Sequence, residues 1–407
     1  MAATAKSSVR AIMRANPYLN IGRQRNFITG IQGVSSGGQA QINFATDRRY
    51  HRLLFQCSAI NYTGSGTTPV ALTKITGAGV GTPTGYLTIV NGVPTAITIS
   101  TGGTSGFAQG DTLSIADASG AGLVITVATV SSGAIVTATV PQTTTAGCTP
   151  TAISPSKFCT TVKLLVNGVN ICDLTAAQEI SRNLFNGMAI GTGQLPILFT
   201  EPWRNLTRWP EITSWDMAGQ NSFQIQIAIS PTVVSPQLTG IMEFDYVRNT
   251  VAGPVLQTVF QSMLAAGNAP APILMPISRH AFTFQINAGM NLIGQGQIPF
   301  NYPILRLFLV GSSPGNITQL EIDQDSNKVL ESFIGSSLNG SQVGQEIEAL
   351  GEYGFVNSIF DAAYVADISQ RIAAALKCTS NLQLKIYSTV AQSLTIIQEK
   401  LPKSYSS

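Results

Sequence analysis

Apolar and polar side chains alternate with period two along most of this chain, a pattern that predicts β-strands. It is cleanest in SFQIQIAIS at 222–230, where Phe223, Ile225, Ile227 and Ile229 face one way and Gln224 and Gln226 the other. QAQINF ending at Phe44, RYHRLLFQCSAINY at 49–62 and GIMEFDYV at 240–247 read the same way. CTTVKLLVNGVNICDL at 159–174 holds Asn167-Gly168 between two apolar runs, which predicts a hairpin with a two-residue turn. Helical periodicity is confined to 175–185, 255–266 and 368–376. Thr175 is suited to cap the first of these helices, with Gln178 three residues on as in a capping box.

The second half replays the first. AFTFQIN (281–287) is matched to QAQINF, and ILRLFLV (304–310) to HRLLFQ. ITQLEIDQDSNKVLESF (317–333) is matched to the Asn167-Gly168 hairpin and the helix start that follows it. SIFDAAY (358–364) is matched to ILFTEPW (197–203), NLQLKIYS (381–388) to SFQIQIAI, and LTIIQEKL to GIMEFDYV. The later pairs share one offset and the first pairs a larger one. A segment inserted in the first copy accounts for the difference. Between 63 and 150 charge is reduced to Lys74, Asp111 and Asp117, and Gly, Thr, Ser, Val and Ile take over. Short alternating runs there, among them Leu123, Ile125 and Val127, predict a small independent β-domain. Two similar, mostly β modules of this size suggest sandwiches, and the eight-stranded jelly roll fits.

Composition narrows the function classes. Charged residues make up 11% of the 407 residues, against about 25% in ordinary soluble domains. Amides and hydroxyls replace them, giving a surface with little like-charge repulsion between copies. The net charge of +3 carries no global nucleic-acid footprint. Cys57, Cys148, Cys159, Cys172 and Cys378 form no metal-ligand spacing and read as small buried hydrophobes in a reducing compartment. Neither a signal-peptide core nor an apolar stretch of transmembrane length is expected, which points to synthesis in a host cytoplasm.

The order of the pieces resembles one known family. A basic leader precedes NPYLNIGRQRN and GGQAQINFATDRRYHRLLF; V-x-L-x-V-N-G (162–168) precedes a helix at Thr175; a Q-x-Q or Q-x-K strand closes each module; PVLQTVFQSMLAAGNAP joins them. The chain is similar in these respects to the double-jelly-roll major capsid proteins of tailless, membrane-containing icosahedral bacteriophages, the corticovirus type above all. The resemblance implies an all-β fold of two consecutive eight-stranded jelly rolls. The expected divisions are a basic arm (1–30), a first roll (31–62 and 151–248) split by an inserted tower (63–150), a linker helix (249–272) and a second roll (273–407). It further implies a homotrimer of pseudo-hexagonal outline that contacts neighbouring capsomers, penton or spike proteins and minor capsid proteins. Such trimers tile over an internal viral membrane.

Candidate sites are few. Trp203, Arg204, Trp209 and Trp215 are of the types that anchor interfaces. Lys6, Arg10 and Arg14 make the arm basic and suited to anionic lipid. Asp323, Asp325 and Asn327 have the spacing that starts a calcium loop, but Lys328 stands where a sharp turn needs glycine, and a plain polar hairpin is the competing reading. His51 and His280, the only histidines, read as exposed strand-edge residues. No nucleotide, zinc-protease or nucleophile-elbow motif occurs, so no enzyme is expected. Two other readings stay open: a receptor- or glycan-binding spike built from sandwiches, and a glycan-active enzyme using Glu201 and Asp216.

Overall fold

The computed structural model describes residues 21–60, 68–91, 93–116, 122–140, 149–185, 188–200, 214–217, 220–247, 277–294, 296–299, 304–313, 316–324, 328–334, 363–367 and 382–400. The first strands are β1 (Ile21–Phe27), β2 (Gln39–Phe44) and β3 (Arg49–Ile60). An inserted unit follows, with β4 (Val70–Ala71), β5 (Thr73–Lys74), β6 (Thr84–Val90), β7 (Val93–Thr101), β8 (Thr112–Ala116), β9 (Gly122–Ser131) and β10 (Ala134–Thr139). The chain returns through β11 (Thr151–Ala152), helix α1 (Pro155–Phe158), β12 (Cys159–Val166), β13 (Val169–Thr175), helix α2 (Ala176–Phe185), β14 (Gln194–Leu198), β15 (Trp215–Asp216), β16 (Phe223–Ile229) and β17 (Val234–Val247). The second module holds β18 (Ser278–Ile286), β19 (Gly289–Gly294), β20 (Ile304–Gly311), β21 (Ile317–Gln324), β22 (Lys328–Ile334), β23 (Ala363–Asp367), β24 (Leu382–Ser388) and β25 (Gln392–Lys400).

Each module is two sheets around one apolar core. In the first, β1-β17-β3, extended by β14, packs on β2-β16-β12-β13. In the second, β18-β25-β20-β23 packs on β19-β24-β21-β22. The two orders are the same strand for strand, so the molecule is a double jelly roll. The match corrects the correspondence read from alternation alone. QAQINF is β2, and its counterpart is β19, GMNLIG; AFTFQIN lies in β18, the counterpart of β1. Alternation cannot distinguish these strands, whereas their partners do: β18 pairs with β25 as β1 pairs with β17. Residues 21–27, read as part of the arm, are therefore the first strand of the first roll. ESF at 331–333, read as entering a helix, continues strand β22. The helices expected at 255–266 and 368–376 lie outside the described residues.

Local signals explain the best-defined elements. Asn167 and Gly168 both adopt positive φ, +52° and +76°, as the tight turn between β12 and β13 demands. Asn167 tolerates this because its side-chain oxygen accepts hydrogen bonds from the Asn221 and Ser222 amides at 2.7 and 3.1 Å. At the start of α2 the Gln178 amide donates to Thr175 Oγ1 (3.2 Å) while the Thr175 amide donates to Gln178 Oε1 (2.8 Å), a complete capping box.

Strand β16 buries Phe223, Ile225, Ile227 and Ile229, each contributing about 1.5–3 kcal/mol. Its other face carries amides in place of charge: Gln224 donates to Asn43 at 3.0 Å and Gln39 to Gln226 at 2.9 Å. The low charge of the composition thus becomes a hydrogen-bonded amide ladder. The inserted unit has two sheets, β10-β9-β8-β5 and β4-β6-β7, with Leu123, Ile125 and Val127 inside. Its core also includes Ile60 and Val234 of β3 and β17, so it is seated on the first roll.

Candidate assembly surfaces

The two rolls meet along a defined seam. β13, the edge of the first roll, pairs in parallel with β18 of the second through Cys172–Arg279 and Asp173–His280. One eight-stranded sheet therefore runs through both rolls. Helix α2 lies at this junction. Its Arg182 donates to Glu179 at 3.0 Å and to Glu399 of β25 at 3.4 Å, and Arg279 lies 3.8 Å from Glu399. Arg279 also donates to the Leu198 carbonyl at 3.1 Å, and Asn183 donates to the Pro196 carbonyl at 2.7 Å. All four charged groups are buried. Among the described side chains, guanidiniums and carboxylates stand against one another, as burial of charge requires. Beside them Phe308 and Ile397 of the second roll join the core of the first, against which Ala281 and the α2 residues Ile180 and Leu184 also pack.

A second ionic ladder crosses the outer face of β1-β17-β3. Glu243 accepts from Arg25 and Arg52, each at 2.9 Å. Asp245 accepts from Arg23 at 3.1 Å, and its other oxygen lies 2.7 Å from His51 Nε2. His51 Nδ1 lies 3.0 Å from the Thr200 hydroxyl. Far from standing exposed at a strand edge, His51 is buried, because β3 is central in its sheet and β17 supplies its acid. Asp245, His51 and Thr200 lie in the order of a carboxylate–imidazole–hydroxyl relay. The carboxylate is shared with Arg23, however, which makes the trio one end of the ladder. His280 is half-buried on β18.

Burial opposes the charge on both carboxylates of this ladder. The bonds and charges of His51 and Arg23 on Asp245, and of Arg52 and Arg25 on Glu243, outweigh it and hold both carboxyls below the usual range. A depressed folded pKa contributes stability above the unfolded value, near pH 4, and loses it as pH falls through the folded one. The thermal midpoint is therefore expected to drop on acidification below about pH 4, and Asp245→Asn to flatten that drop. An unchanged pH profile in the variant would refute this assignment.

Of the residues singled out by sequence, Trp215 is 1% exposed in the first-roll core, 4.5 Å from the Phe199 ring. It is a packing residue and not an interface anchor; as part of β15 it is laid against β3. Trp203, Arg204, Trp209, Glu201, Lys6, Arg10 and Arg14 lie outside the described residues. Asp323 is buried and takes the Lys385 ammonium as its cation. Asp325 and Asn327 lie outside the described residues. Among the described residues no group of three or more His, Cys, Asp or Glu is placed to hold a metal. Cys57, Cys159 and Cys172 are buried free thiols, and burial pushes Cys159 and Cys172 up to about 12. The seam quartet and the ladder escaped sequence reading, since their acids and bases lie up to 222 residues apart.

Residues 127–245 match the family model of the viral coat protein P2 N-terminal domain. No curated protein matches the chain by sequence. Among solved structures, the major capsid protein P2 of bacteriophage PM2 superposes with a TM-score of 0.54 at 14% identity, over 93% of this chain and 96% of that one. The Faustovirus major capsid protein does so with a TM-score of 0.50 at 8% identity, over 94% and 90%. At such identities the likeness is one of fold, and the fold is the one traced above. The chain thus has the double-jelly-roll fold of these capsid proteins, and within it residues 127–245 match a viral coat protein domain.

Proposed function

We propose that this chain is a viral coat protein, the major capsid protein of a tailless icosahedral phage, and assembles as a trimer of pseudo-hexagonal outline. The observation that carries this reading is the junction inside the chain. There the edge strand and α2 of one roll dock on the outer sheet of a second roll of the same topology. The contact is head-to-tail, and a head-to-tail contact repeated between chains forms a ring when its rotation closes. Three chains of two rolls would give six like lobes.

In the assembled shell, trimers meet neighbouring trimers, penton or spike proteins and minor proteins through weaker polar contacts such as the amide-rich faces. The inserted unit stands as a tower. The basic leader, with Lys6, Arg10 and Arg14, faces anionic lipid of an internal membrane. The purified chain is expected to scatter light as a particle near three times 42.9 kDa. A monomer at every concentration would defeat the trimer and favour a spike or other binding module.

A further inference from the structure

The duplication allows the occupied face of one roll to be laid over the same face of the other. In the second roll, Arg279, Glu399 and Arg306 stand side by side in register across β18, β25 and β20. Two residues along, Ala281, Ile397 and Phe308 form the next row. The first row receives Arg182 from α2, and the second is covered as part of the first-roll core.

In the first roll the counterpart strands are β1, β17 and β3. Arg25, Glu243 and Arg52 stand in register across them, and two residues along come Phe27, Ile241 and Leu54. The chemistry repeats: base, acid, base, then an apolar row. The two rows also run in the same direction relative to each strand. The occupancy does not repeat. Phe27 is 77% exposed and Ile241 40%, while Leu54 is half-buried. Among the described strands β1 is moreover at the edge of its sheet, as β22 is of its own. Within the chain, the counterparts of these two edges, β18 and β13, are paired to each other.

We propose that the Arg25–Glu243–Arg52 and Phe27–Ile241–Leu54 rows of the first roll are a docking site for the second roll of another copy of this chain, presented from its β22 edge. This rests on the trimer reading and gives it a surface. Continuity with the existing seam points to this occupant: a ring needs the same junction at every lobe, and among the described residues this face is the half of the junction that one chain leaves uncovered. An exposed phenylalanine beside a satisfied ion ladder also fits an anchor that seats in a partner with little rearrangement.

The test uses the full chain. Phe27→Asp and Ile241→Asp place a charge on exposed positions and leave the cores untouched. Each is expected to raise the dissociation constant of the trimer by about tenfold or more, read by sedimentation velocity, with the circular dichroism unchanged. Val169→Asp, at an exposed apolar position elsewhere, is expected to leave the trimer intact. As an independent reading, Phe27→Cys is labelled with a maleimide and the label located by mass spectrometry. Labelling is expected to be fast in diluted monomer and blocked in trimer. If the native chain is a trimer, retention of the trimer by both aspartate variants, or fast labelling of Cys at position 27 within it, overturns the docking site alone. Protection of that position in the monomer overturns it in favour of a segment of the same chain. A native chain that never trimerises removes the reading beneath it.

Discussion

Replacing Arg182 by alanine is expected to destabilise the chain by about 3–5 kcal/mol. The Arg182 guanidinium lies between Glu179 of its own helix and Glu399 of the second roll, and all three are buried. Its loss removes the guanidinium that bridges two buried carboxylates, Glu179 and Glu399. The charge then left over has no water to solvate it, and the desolvation cost that the quartet had offset is exposed in full. The quartet itself is not a large net source of stability, because burying four charges costs much of what their attraction returns. Its value is positional: it fixes α2 of the first roll against β25 of the second. Urea unfolding should show the loss as a lower midpoint, and the seam should open before the rolls do. A shift corresponding to less than about 1 kcal/mol would mean that the cluster is solvated and does not bind the rolls together.

Phe223→Ala is the second large effect, about 3–5 kcal/mol. Phe223 opens β16 and sits at the centre of an aromatic group in the first-roll core. Its ring lies 5.1 Å from Phe44, 5.2 Å from Tyr50, and 5.9 Å from both Phe199 and Trp215. These five come from five separate segments of the chain, so no single neighbour can swing in to fill the space. The cost is lost transfer energy plus a cavity. Gln224→Ala, one residue along on the opposite face, is expected to change stability by less than about 0.5 kcal/mol. Equal effects from the two would mean that the alternation does not sort core from surface as described.

That alternation is the part of the fold most legible in the sequence. Strands β2, β3, β12, β13, β16 and β17 were all visible, because each has one buried face and its own turn or cap. The Asn167-Gly168 turn and the Thr175–Gln178 box were legible for the same local reason. β1 was not. IGRQRNF reads as a basic tail until Glu243 and Asp245, more than 200 residues on, are seen to take its arginines. GMNLIG was missed as β19 because two glycines and two exposed apolar residues give it no pattern. The duplication was legible and yet misaligned at its first step, since β18 alternates better than the strand that truly matches β2. Residue type alone suggests an interface anchor at Trp215, whereas its burial is a tertiary fact. The seam had no local signature at all: Glu179 and Arg182 look like an ordinary surface pair at i,i+3, and their burial depends on a second roll that begins some hundred residues later.

In the proposed assembly two like rolls per chain build a six-lobed capsomer. Electron cryo-microscopy of the purified, unmodified protein tests it most directly. The expected particles have a near-hexagonal outline, threefold symmetry and three projections from the inserted units, with the β1 face of each chain covered by its neighbour. Two-lobed single particles, or rings in which the β1-β17-β3 face stays bare, would contradict it.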